Sequence, residues 1–189
     1  MSDESSSNQQ KVMEYFRVIQ ERILLPIEKT EIREFCTATL LLLFAAIDGL
    51  GGLLHSRKGA GSNARIRRFL EYMGADYSAK KSQLLALRNF LVHSAISAES
   101  FLSKTEMGCD HHLKTVGAAG FIYVNTSLMY DDFIKAFVRF RADIESDSAL
   151  MNRAADRLEW RDDQAWNEED GPQPSPPPPV EFIFRKGDA

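Results

Sequence analysis

Cysteine is nearly absent: Cys36 and Cys109 are the two in 189 residues. That excludes a disulfide scaffold and fits a reducing compartment. Cys36 falls inside an apolar helical pattern and suits a buried free thiol. Long hydrophobic runs are missing too. The most apolar stretch, Phe35–Ile47, is shorter than the roughly 20 residues a spanning helix needs, and Asp48 ends it. The first residues, M-S-D-E-S-S-S-N-Q-Q, have neither the basic nor the apolar region of a signal peptide. The expectation is a cytoplasmic protein with no membrane segment. A large excess of one charge is also lacking. With 23 Lys and Arg against 27 Asp and Glu, the net charge is -4, which excludes wholesale coating of nucleic acid but leaves room for a local basic face. No Gly-x-Ser-x-Gly or dinucleotide fingerprint occurs. The glycine-rich loop His55–Asn63 has no Lys-Ser/Thr ending at the phosphate-loop spacing.

What is present is material for one core, with 44% apolar residues in 21.4 kDa. Composition divides the chain into a polar, disordered arm (1–10), a helical domain (11–161) and an acidic, proline-rich tail (162–189). Val12, Phe16, Ile19, Ile23 and Ile27 predict a helix over Lys11–Lys29, with a kink or early end at Pro26. Thr30 is positioned to cap a second helix, Glu31–Leu54, apolar nearly all round and therefore buried on several sides. Asp48 interrupts it, and Gly49, Gly51 and Gly52 permit a close helix–helix approach or a bend. A short third helix is expected over Ala64–Met73, stopped by Gly74. A fourth is expected from a Ser78 cap to Ile96. Strand-like composition at Phe101, His112–Val116 and Phe121–Asn125, with a turn at Gly117–Gly120, predicts a small hairpin. One long helix from Ser127 or Leu128 to Trp160 follows. The predicted class is all-α: a bundle of four to five helices with a small β-hairpin insertion. Its core is expected to hold Phe44, Ile47, Leu84, Leu87, Leu91, Phe133, Phe137 and Phe140.

Within the fourth helix, S-Q-L-L-A-L-R-N-F-L-V-H-S places Arg88, Asn89 and His93 beside leucines. Polar groups in such a setting need partners or chemistry. Asn89 and His93, at i and i+4, share a helix face, whereas Arg88 and His93 diverge by roughly 140° on a regular helix. Two copies meeting across a two-fold axis would bring two such sets into one cleft. Arg57, Lys58, Arg65, Arg67, Arg68, Lys80, Lys81 and Arg88 face only Glu71 and Asp76 in residues 56–94, a basic stretch suited to a phosphate backbone.

The Arg88-x4-His93 spacing, with Asn89 after the arginine and an apolar helix bearing A-I-D-G-L upstream, resembles the HEPN superfamily. The resemblance covers residues 30–160. It implies a HEPN-like four-helix bundle, commonly dimeric, in which many members are metal-independent ribonucleases. The residue chemistry agrees. An RNA 2′-hydroxyl attacking the adjacent phosphate needs proton transfer, which His93 supplies near neutral pH. It also needs charge stabilisation, which the Arg88 fork supplies. Asn89 would orient His93 or a phosphate oxygen. Arg65, Arg67, Arg68, Lys80 and Lys81 would contact RNA. No cofactor is implied. A homodimer, RNA and an antitoxin or other protein partner are the expected associates. The motif departs from toxins silenced by nucleotidylation of a tyrosine two residues after the histidine, since Ala95 stands there.

The alternative is a non-catalytic helical dimer that binds nucleic acid, nucleotide or a protein partner. In it Arg88 is a structural cation paired with the supporting residue Asp48 in the apolar helix. Cys109, Asp110, His111 and His112 resemble a metal cluster only superficially. On a strand Cys109 and His111 share a face and His112 points away, and two ligands do not make a zinc site.

Overall fold

The computed structural model describes residues 2–29, 36–55, 59–94, 102–103, 110–116 and 121–169. It is predominantly helical. The elements are α1 (Ser2–Ile19), a π-helical turn (Gln20–Leu24), α2 (Leu25–Lys29), α3 (Cys36–Leu54), α4 (Ser62–Met73), α5 (Ala75–Ser94), α6 (Thr126–Ser146) and α7 (Ser148–Glu169). Among the described residues between α5 and α6 are four two-residue strands: β1 (Leu102–Ser103), β2 (Thr115–Val116), β3 (Phe121–Ile122) and β4 (Val124–Asn125). β1 runs parallel to β4, and β2 runs antiparallel to β3 with Thr115 opposite Ile122. Thr30, Arg57, Lys58, Cys109 and the tail from Asp170 lie outside the described residues.

All eight residues expected in the core are buried, and Val12, Phe16, Ile19 and Ile27 of the first stripe join them. The phenylalanines of α6 interlock with Phe16 of α1 and with Phe69 and Tyr72 of α4, at ring-centroid distances between 5.2 and 5.9 Å. They are core residues, as their helical spacing implies. Among the described residues one helix, α3, is long and apolar enough to cross a membrane. Over half of that apolar window, 56%, is buried inside the protein, so its apolar surface serves the core.

Several boundaries differ from the sequence reading, each for a local reason. Residues 2–10, expected to be disordered, continue α1, and the Asn8 amide donates to Asn152 on α7. The first helix passes through Pro26 rather than ending there. Proline has no N–H to give to the carbonyl four residues back. The irregularity lies just upstream, where the Leu25 N–H reaches back five residues to the Gln20 carbonyl. This widened turn re-phases the apolar stripe: Leu24 is buried, and Ile23, a member of the expected stripe, is only partly so.

Ser78 is not a cap. Gly74, at φ +141°, makes the turn between α4 and α5, and the Ser78 N–H donates to its carbonyl within the first turn of α5. α5 is assigned to Ser94; Ile96 lies outside the described residues. The expected long final helix is two helices. Asp147 leaves helical backbone (φ -114°, ψ 103°), and its carboxylate accepts from Ala149 N at 2.9 Å and Leu150 N at 3.0 Å. It is the N-cap of α7. Residues 162–169, expected in a linker, belong to that helix. Asn125 caps α6 in the same way, accepting from Leu128 N at 3.1 Å.

Candidate functional site

α5 buries Leu84, Leu85, Leu87 and Leu91 against the bundle. Arg88 and Asn89 sit at the edge of this apolar face, half-buried, and Arg88 Nη1 donates to Asn89 Oδ1 at 3.1 Å. Phe90 and Val92 on the same stretch are 39% and 48% exposed. His93 lies on α5 one residue before its end, but its side chain lies outside the described residues. The structure therefore brings Arg88 and Asn89 together and leaves the position of the imidazole unspecified.

The expected Asp48–Arg88 pair does not form. Asp48 is taken by Arg65: Nε donates to Oδ1 at 2.7 Å and Nη2 to Oδ2 at 2.8 Å, and the Ser62 hydroxyl adds a bond to Oδ2 at 3.1 Å. Arg65 Nη1 donates to the Ala60 carbonyl at 2.9 Å. The reason is the glycine run. A Cβ on Gly51 would lie 2.0 Å from the Arg65 carbonyl oxygen. Only glycine lets α4 approach this closely, and that approach sets Arg65 directly over Asp48 one turn of helix away. Arg65, expected to contact RNA, is thereby committed to bracing α3 against α4.

The remaining basic residues are distributed on exposed or half-exposed surface. Arg68 and Lys81 both pair with Glu71, Arg68 at 3.6 Å. Lys80 Nζ donates to Thr115 Oγ1 at 3.2 Å. Arg67 is exposed on α4.

A second polar cluster escaped the sequence reading. The Tyr77 hydroxyl donates to Asp132 Oδ2 at 3.1 Å and stands 3.0 Å from His112 Nε2. The Asn125 N–H donates to His112 Nδ1 at 3.1 Å. A neutral imidazole carries one proton, so with Nδ1 accepting, that proton sits on Nε2 and is donated to the Tyr77 oxygen. Asp132 receives Lys135 Nζ on its other oxygen at 2.9 Å. The chain Asn125–His112–Tyr77–Asp132 thus ties the start of α5 to the start of α6. Burial of His112 holds its pKa below the usual imidazole value, against the opposing pull of Asp132 and Asp76. Burial, together with Asp132, pushes the Tyr77 phenol well up. Both imidazole nitrogens are engaged within the protein, so His112 acts here as a fastener between the starts of α5 and α6. Among the described residues no group of three or more His, Cys, Asp or Glu is arranged to hold a metal ion. The sequence singles out His112 for its neighbours Cys109 and His111, and nothing in it links His112 to Tyr77 or Asp132, 35 and 55 positions from Tyr77 along the chain.

No family model, no curated protein and no solved structure matches the chain.

Proposed function

We propose that the chain is a metal-independent endoribonuclease of defence or toxin type, cytoplasmic, built on a HEPN-like bundle whose small hairpin is the β2–β3 pair. In this reading two copies meet along the exposed end of α5, where Phe90 and Val92 offer apolar surface to bury. Arg88, Asn89 and His93 of both copies then line one cleft. His93 moves the proton and Arg88 holds the phosphate. Arg67, Arg68, Lys80 and Lys81 flank the path of the RNA backbone.

The observation that carries the reading is the state of Arg88. Its guanidinium lies on Asn89, at a half-exposed edge, instead of being locked onto Asp48 in the apolar helix. That removes one form of the structural reading, the one in which Arg88 is the counter-ion of Asp48.

The test is cleavage of structured and unstructured RNA by the full chain. Cleavage should persist in chelator, leave a 2′,3′-cyclic phosphate and spare DNA, which lacks the attacking hydroxyl. His93→Ala and Arg88→Ala should each lower the rate by about 10²–10⁴-fold with the bundle intact. Activity should also fall on dilution below the dimer dissociation constant. Equal cleavage by wild type and His93→Ala, or none by wild type on varied RNAs, would leave a non-catalytic helical dimer as the reading.

A further inference from the structure

A cavity of about 420 Å³ opens between α1, the π-helical turn, α3, α4 and α7. None of its lining residues belongs to α5, so it is separate from the Arg88 motif. Its lining includes the apolar residues Ile19, Ile23 and Leu53, the arginines Arg22, Arg65 and Arg157, and a single carboxylate residue, Asp48. That carboxylate is bound by Arg65 and Ser62. Among the described residues the lining thus has three cations and one anion. Arg157 is only 8% exposed and lies over the Trp160 ring, 4.3 Å from its centroid.

Two backbone features keep this cavity open and charged. The first is Gly52. A Cβ there would come 3.3 Å from Arg65 Cδ and 3.9 Å from Arg157 Nε, so any longer side chain would occupy the floor between the two arginines. The second is the π-helical turn. By placing Leu24 in the core it turns Arg22 and Ile23 toward the cavity. Turns of this kind are frequent at functional sites.

We propose that the cavity binds a small amphipathic organic anion, with a carboxylate or phosphate-monoester head on Arg157 and Arg22 and an apolar body against Ile19, Ile23 and Leu53. The arginine fork matches an oxyanion in two-point geometry, and a guanidinium held in place by an aromatic ring loses little freedom on binding. The volume and the mixture of apolar residues with a few charged groups are those of small-ligand sites.

Titration calorimetry of the full chain with hexanoate and with phenyl phosphate tests this, with hexanol and inorganic phosphate as controls. Saturable binding of at least one amphipathic anion is expected, tighter than either control. Preference for hexanoate assigns a carboxylate head, and preference for phenyl phosphate assigns a phosphate head. Arg22→Gln, on the exposed rim, should weaken binding about tenfold, the usual scale for losing one charged hydrogen bond. Gly52→Leu should abolish it by filling the floor. Arg157→Gln should act like Arg22→Gln where circular dichroism shows the variant folded, and Arg141→Gln, on α6 and outside the lining of the cavity, should change nothing. The proposal is overturned if neither anion binds saturably, if hexanol or inorganic phosphate binds as tightly, or if folded Arg22→Gln binds like wild type.

Discussion

Asp48 and Arg65 form a two-point ion pair, 2.7 and 2.8 Å long, that crosses from α3 to α4 beside the close approach of the two backbones at Gly51. Both side chains are about one-quarter exposed, at 23% and 27%, which separates this pair from the surface pairs that contribute little. Arg65→Ala and Asp48→Ala should each cost about 1–3 kcal/mol in unfolding free energy, the scale for charge-assisted hydrogen bonds. A double-mutant cycle should return a coupling of about 1 kcal/mol or more. The parallel cycle with Asp48 and Arg88 should return a coupling near zero. A strong Asp48–Arg88 coupling would mean that Arg88 is the real counter-ion.

Gly51→Ala tests the close approach itself. The added methyl would sit 2.0 Å from a backbone oxygen, which cannot rotate away as a side-chain tip can. Overpacking of this kind costs about 1–3 kcal/mol. Urea unfolding should show the loss. A Gly51→Ala protein as stable as wild type would mean that α4 does not press against α3 at this point.

The His112 fastener gives stability a pH dependence of definite sign. The groups around it are Tyr77, Asp76, Asp132, Lys80 and the Asn125 N–H. Protonating Nδ1 would set its new N–H against the Asn125 N–H. The folded pKa lies below the ordinary value, so the unfolded chain takes up its proton first. Stability from this group is complete above about pH 6.5, the unfolded value, and is lost as pH falls from there through the folded value. Melting temperatures at pH 7.5 and 5.5 should differ in wild type, and the difference should shrink in His112→Gln. A pH response unchanged by that substitution would show that other groups carry it.

Leu87→Ala should cost about 2–5 kcal/mol, as deletions from a packed core do. Leu87 shares α5 with Arg88 but faces the bundle, at 9% exposure. Unfolding by denaturant, compared with Arg88→Ala, separates the two faces of this helix: Leu87→Ala should lower stability and Arg88→Ala should leave it nearly unchanged.

The core was legible in the sequence because burial follows periodicity. Leu84, Leu87 and Leu91, or Phe133, Phe137 and Phe140, recur at three- and four-residue steps and bury as those steps require. The close approach at the glycines was legible for the same kind of reason, since Gly51 has no side chain to keep α4 away. The identity of Asp48's partner was not. Both Arg65 and Arg88 are cations at plausible distances along the chain, and only the packing of α4 on α3 chooses between them. The break at Asp147 was present as Ser-Asp-Ser, a capping sequence, but the apolar stripe runs across it without a change of phase and conceals it. In the other polar cluster, Tyr77 meets His112 and Asp132 from 35 and 55 positions away, beyond the reach of any local pattern. Arg88 and Asn89 stand together on α5 as neighbours must; the rest of the motif's geometry belongs to the end of the helix.

The π-helical turn is a one-residue insertion in the rhythm of the first helix. Counted from Val12, the buried positions are 12, 16, 19, 24 and 27: steps of four and three, one step of five, then three. Removing any one residue between Ile19 and Leu24 turns the five into a four and leaves an unbroken helical rhythm into Ile27. Shortening the first helix by one residue at this turn is therefore expected to keep its core in phase. A variant lacking Glu21 should fold with near-native stability, while the segment carrying Arg22 and Ile23 loses its widened turn; failure of that variant to fold would show that the turn is required by the bundle itself.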